Sequence, residues 1–190
     1  MRTTIFLFAC LSAGNVMAQE KPPLPFYDWD ACPFECCTYR EWTLSQAVSF
    51  HQTHAKESPV IFHLEKGQTV QGVTGVVITT KCGTTKVLKS IDGFGVAKDG
   101  VSPPLSGEPG ESLCTLHYEG EGSSLFWYGG KLYSGYIPDS EDSLGAPPDS
   151  VQLRTESSPV TDWWVMVRST GGRVGWSSET SAFEHKDSCE

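Results

Sequence analysis

Apolar and polar residues alternate with a period of two in short runs along most of this chain, and turn-forming residues separate the runs. The alternation predicts strands over residues 42–48, 59–64, 69–80, 85–88, 112–118, 124–128, 131–136, 151–154, 163–168 and 174–176. Each run is short, rich in β-branched or aromatic side chains, and bounded by Gly, Pro, Ser or Asp. Helical periodicity is scarce: the one candidate, 39–54, places Trp42, Leu44, Val48 and Phe50 at spacings that suit a strand as well. Gly171-Gly172 lies between the last two runs and supplies the positive φ of a tight hairpin. Two stretches, 98–111 and 138–150, are rich in Gly, Pro, Ser and acids and predict loops or insertions. The second carries Asp139, Glu141, Asp142 and Asp149 with almost nothing apolar to bury. The pattern predicts an all-β fold with long loops.

The N-terminus breaks this pattern. Arg2, an apolar stretch from Ile5 to Leu11, and Val16 and Ala18 at the positions a signal peptidase accepts predict a signal peptide over 1–18. The mature chain is then expected to begin at Gln19, in the periplasm or secreted. Three prolines in Lys21-Pro22-Pro23-Leu24-Pro25 predict an extended tether, with folded sequence from Phe26. No later run approaches the roughly 18 apolar residues of a membrane helix, so no membrane span is expected. Losing residues 1–18 removes Arg2 and no acid, which moves the net charge from −9 to −10. Such acidity disfavours nucleic acid and anionic lipid, both of which reward clustered Lys and Arg, and favours neutral or cationic partners.

Cys10 falls in the signal, leaving Cys32, Cys36, Cys37, Cys82, Cys114 and Cys189. An even number in an exported chain predicts disulfides, and six cysteines allow fifteen pairings among which sequence does not choose. Our expectation is Cys82 with Cys114, and Cys189 tied back to the Cys32, Cys36 and Cys37 cluster. Adjacent Cys36 and Cys37 do not bond each other with relaxed geometry, so each should reach a different partner.

The run Trp163-Trp164-Val165-Met166-Val167-Arg168, the turn Ser169-Thr170-Gly171-Gly172-Arg173 and then Val174-Gly175-Trp176 resemble the closing part of a bacterial SH3-like domain. In that family an aromatic-led strand, a glycine turn and a Gly-aromatic strand lead into a single helical turn, here placed at 178–183. The run from Ser58 to Val70, with its Lys66-Gly67 turn, is similar to the family's strand, turn and strand after its long first loop. Pro109-Gly110-Glu111-Ser112-Leu113-Cys114-Thr115-Leu116 repeats that form. Two such pieces imply two small SH3-like β-barrels in tandem: a Pro- and Cys-rich segment at 19–40, a first unit at 41–92, a linker at 93–104, a second unit at 105–186 carrying the acidic insertion 138–150, and a tail at 187–190. The first unit lacks a Trp-led closing hairpin, which leaves one barrel with a long elaboration as the alternative. The Cys32 to Tyr39 motif resembles that of uncharacterised exported bacterial SH3-like proteins, which implies a location and no activity.

Alternation places Trp163, Val165 and Val167 on one face of their strand and Trp164, Met166 and Arg168 on the other. The valines mark the core, so Trp164 is expected at the surface, where the resembled family has its ligand groove. Tyr128, Tyr133, Trp127 and Arg168 are expected to extend the contact, with Tyr136 beside them. No motif calls for a cofactor. His51, His54 and His63 near Cys36 and Cys37 raise a metal site, but an exporting compartment oxidises the thiolates it would need. A Cys-His dyad using His117 or His185, and carboxylate pairs Glu119/Glu121 or Asp139/Asp142, lack any supporting motif. The expected function is a noncatalytic exported binding module for an extended peptide, a cell-wall fragment or another exported protein. The alternatives are an acidic inhibitor that captures a cationic exported protein through 139–149, and an enzyme of undetected type.

Overall fold

A computed structural model describes residues 21–137 and 151–189. The expected signal peptide and the acidic segment 138–150 lie outside the described residues. The described chain is all-β, with no α-helix. One sheet runs in the order β16 (Phe183–Glu184), β2 (Glu41–Leu44), β5 (Thr69–Lys81), β14 (Val160–Ser169), β15 (Val174–Ser177), β3 (Val48–His51) and β4 (Val60–Leu64). A further strand, β1 (Phe26–Trp29), also pairs with β5. A second sheet runs β13 (Leu153–Ser157), β6 (Gly83–Val87), β10 (Ser112–Gly120), β11 (Ser123–Tyr128), β12 (Lys131–Tyr136) and β8 (Val96–Ala97). A short ribbon pairs β7 (Ile91–Phe94) with β9 (Leu105–Gly107). The predicted hairpin at Gly171-Gly172 forms, with Gly172 at φ +82°. A single 3-10 turn, Thr180–Ala182, follows it.

The thirteen-residue β5 is the spine. Its first half alternates, with Val70 buried and Gln71 exposed, because one face packs on the core. Its second half, Val76-Val77-Ile78-Thr79, is buried throughout, the mark of a strand covered on both faces. β1 and β14 flank this half: Trp29 and Trp164 both oppose Val76, while Asp28 and Trp163 both oppose Val77.

The sheets divide the chain otherwise than at 41–92 and 105–186. β5, from the first expected unit, pairs with β14, from the second, from Val70↔Ser169 to Val160↔Lys81. The ribbon then bends: β5 passes through Cys82 into β6, β13 passes through Ser158-Pro159 into β14, and β6 and β13 pair beyond the bend. Residues 83–157 therefore lie between two neighbouring strands of the first sheet, and the second sheet is built entirely from them.

Each sheet has its own core. The first curls into a half-barrel around Trp42, Leu44, Val48, Phe50, Val165, Val167 and Phe183. The second encloses Val87, Leu105, Leu113, Phe126, Tyr133 and Leu153. Gly75 on β5 lets the Tyr39 hydroxyl and the Trp163 indole nitrogen lie against the backbone. A Cβ there would stand 2.8 Å from Trp163 Nε1 and 3.0 Å from the Trp164 carbonyl oxygen. Gly75→Ala is expected to destabilise by about 1–3 kcal/mol through overpacking. An unchanged urea midpoint would contradict this.

Candidate functional site

The two faces of β5 and β14 meet different surroundings. On the face of Val76 and Trp164, paired positions bring Trp29, Trp164, Met166 and Trp176 to the same side, and Trp176 opposes His51. Here lies an aromatic ledge. Tyr27 and Trp29, two residues apart on β1, have near-parallel rings with centroids 6.2 Å apart and are 41% and 54% exposed. His54, from the loop between β3 and β4, stands edge-on to both, 5.9 Å from Tyr27 and 5.1 Å from Trp29, and reaches Trp176 at 5.3 Å. Among the described residues no protein group hydrogen-bonds its ring nitrogens. An ion pair between Lys56 and Asp162 (3.4 Å) lies close by, Asp162 opposing the same β5 residue as Tyr27.

Trp164 keeps the strand face the alternation assigned to it, but the expected exposure is corrected: it is 2% exposed, within a cluster of Val76, Ile78 and Trp176, with His51 edge-on at 5.6 Å. The reason is that both sheet faces are covered here, so the side away from the valines is not solvent. Tyr133 is likewise interior, 6% exposed and stacked on Phe126 at 5.7 Å. Trp127 opposes Leu132 whereas Tyr133 opposes Phe126, so Trp127 and Tyr133 take opposite faces of the second sheet. Trp127 and Tyr128 line a groove of about 730 Å³ with Leu24, Lys81 and Gly129, and Arg168 is exposed beside the hairpin turn in the other sheet. The five expected contacts thus do not form one surface. Tyr27 and Trp29 were missed because Phe26-Tyr27-Asp28-Trp29 puts aromatic rings at exposed positions, which hides the strand's alternation.

The opposite face of β5 and β14 borders a cleft of about 630 Å³ between the two sheets, lined by Val77, Thr161 and Trp163 on one side and Thr115, His117 and Ser124 on the other. His117 is 3% exposed and fully engaged: Nδ1 lies 2.7 Å from the Tyr118 carbonyl oxygen and Nε2 2.9 Å from Asp28 Oδ2. A carbonyl only accepts, so Nδ1 carries a hydrogen. With both nitrogens taken, His117 has none left to draw a proton from a neighbouring hydroxyl, and the pair ties β1 to β10 across the sheets.

All six described cysteines are disulfide sulfurs: Cys32–Cys37, Cys36–Cys189 and Cys82–Cys114. The expected Cys82–Cys114 link, the tie from Cys189 to the cluster and the separate partners of Cys36 and Cys37 are all found. Cys36, Asp187 and Cys189 lie close together, but both sulfurs belong to one bridge and offer no thiolate. Glu119 is engaged by Lys98 at 2.9 Å and by Ser134. Asp139 and Asp142 lie outside the described residues.

Two phenols titrate late. Burial lifts Tyr39 to about 12, and burial with a 2.5 Å hydrogen bond to Glu111 lifts Tyr128 to about 12. The same bond holds the Glu111 carboxyl below its usual range. A phenol whose folded value exceeds its unfolded value of 10 contributes stability that is complete below pH 10 and lost as pH rises toward 12. Absorbance titration of phenolate should show two tyrosines ionising only near pH 12, and unfolding should bring them back to about 10.

No helix of the described residues is long and apolar enough to cross a membrane. No family model matches this chain, and no curated protein or solved structure matches it.

Proposed function

We propose that this is an exported, noncatalytic binding module of SH3-like type that recognises an extended peptide or cell-wall fragment, with the ledge of Tyr27, Trp29, His54 and Trp176 as its contact surface. The observation that carries the reading is the exposure of two neighbouring aromatic rings packed around an imidazole with unengaged nitrogens. Flat amphipathic rings bury large area at small entropic cost, and a free imidazole adds directional donor and acceptor capacity. A monomer that exposes such a cluster exposes what its core would otherwise take up.

Topology supports the SH3-like assignment. After one 3-10 turn the last strand, β16, pairs back on β2, which pairs β5, then β14, then β15, and β15 meets the β3–β4 hairpin. The reading is therefore one barrel, elaborated between β5 and β14 by residues 83–157. Three disulfides fit an oxidising compartment such as a periplasm or the exterior.

Pull-down on purified peptidoglycan at low and high salt tests the proposal. Trp29→Ala should weaken retention about tenfold or more while leaving the melting temperature nearly unchanged, and retention should survive salt. Retention that disappears in salt yet ignores Trp29→Ala would replace this reading with charge-driven capture of a cationic partner.

A further inference from the structure

We propose that the cleft between the sheets is a second binding site, separate from the ledge, for a neutral polyhydroxylated ring of sugar type. Its volume of about 630 Å³ falls within the roughly 300–1,000 Å³ typical of small-molecule sites. Its position follows from the bend: where the β5–β14 ribbon turns into β6–β13, the two cores part and a polar layer lines the gap.

The layer contains hydroxyls in two states. Thr79, Thr85 and Thr115 are satisfied within the protein: Thr79 donates to the Leu116 carbonyl at 2.9 Å, and Thr85 and Thr115 bond each other at 2.9 Å. Ser124, Ser158 and Thr161 border the cleft, and among the described residues their hydroxyls have no hydrogen-bond partner. Ser124 is 7% exposed, so the little surface it keeps opens into the cleft. A guest bearing its own hydroxyls would find these three free both to donate and to accept.

The rest of the lining defines the guest's charge and shape. Among the described residues that line it there is no Lys, Arg, Asp or Glu, and its one histidine is committed to Asp28 and a carbonyl. An ion would find no counter-charge among them. Trp163 supplies an indole surface, and Pro33 and Pro159 supply apolar contact. Hydroxyls that both donate and accept, set beside an aromatic ring, complement a molecule with equatorial hydroxyls and an apolar face. Because Trp163 and Trp164 point to opposite faces of β14, such a guest would not touch the ledge, and the proposal stands whatever the ledge binds.

Amide and indole NMR shifts of the full mature chain, titrated separately with N-acetylglucosamine, glucose and myo-inositol, test this. We expect saturable shifts at Ser124, Thr161 and the Trp163 indole for at least one probe, and none at Trp29. Thr161→Val and Ser124→Ala should each weaken that binding roughly five- to tenfold, and Trp29→Ala should leave it unchanged. Thr161 is exposed, so its variant keeps the test valid if Ser124→Ala fails to fold. Absence of cleft shifts with all three probes, shifts confined to Tyr27 and Trp29, or equal affinity in the folded variants would each overturn the proposal.

Discussion

Trp164→Ala is expected to lower stability by about 3–5 kcal/mol, as truncations of fully buried tryptophans do. The indole is clustered with Val76, Ile78 and Trp176, and His51 stands edge-on at 5.6 Å. Removing it leaves a cavity among side chains whose strands are held by the β14–β15 and β1–β5 pairings, which limits collapse into it. Urea unfolding should show a lower midpoint with the slope retained, and the neighbouring Trp29→Ala, which removes an exposed ring, should lower the unfolding free energy by less than about 1 kcal/mol. Equal effects of the two substitutions would mean that the two indoles are not, as described, one inside and one outside. Loss of ligand retention in the Trp164 variant would report unfolding, which is why Trp29 is the informative site for binding.

The pair also shows where the sequence speaks and where it stops. Strand positions are legible in the longer β-branched and aromatic runs: 69–80 matches β5, 112–118 the greater part of β10, 131–136 matches β12 to the residue, and the glycine hairpin forms where positive φ is required. The run 42–48 split into β2 and the start of β3 because Ser45, Gln46 and Ala47 make the intervening turn. β1 went unseen for a physical reason: its outward residues are Tyr27 and Trp29, so hydrophobicity does not alternate although burial does. The face of Trp164 was assigned correctly by parity. Its burial was not, because parity says which side a residue takes and nothing about what packs there. Long-range pairing was the least legible feature. Nothing in the local pattern of Val70 to Lys81 announces Val160 to Ser169 as its partner, and that pairing sets residues 83–157, which the tandem reading divides among its first unit, linker and second unit, between two neighbouring strands of one sheet. Local alternation fixes strands, whereas topology depends on contacts that it does not encode.

Cys36→Ser with Cys189→Ser is expected to cost about 4–5 kcal/mol, the largest loss available from any one disulfide. The two residues are 153 apart in sequence, against 32 for Cys82–Cys114 and 5 for Cys32–Cys37. On a chain-entropy account a cross-link stabilises by restricting the unfolded ensemble, and the restriction grows with the logarithm of the loop. The native contacts around this bridge add to it. Ser188 bonds the Cys36 carbonyl through both its backbone N–H and its hydroxyl, Thr38 N–H bonds the Lys186 carbonyl at 2.9 Å, and Arg40 donates to the carbonyls of His185 and Asp187. These hydrogen bonds hold the C-terminal segment beside the strands β2 and β16, so the bridge staples a seam that is already formed. The ordering of the three double variants by urea midpoint should therefore run Cys36/Cys189 lowest, Cys82/Cys114 next and Cys32/Cys37 nearest the parent. An inverted order, with the Cys82/Cys114 variant least stable, would place the dominant effect in the bend between the sheets and not in the unfolded chain.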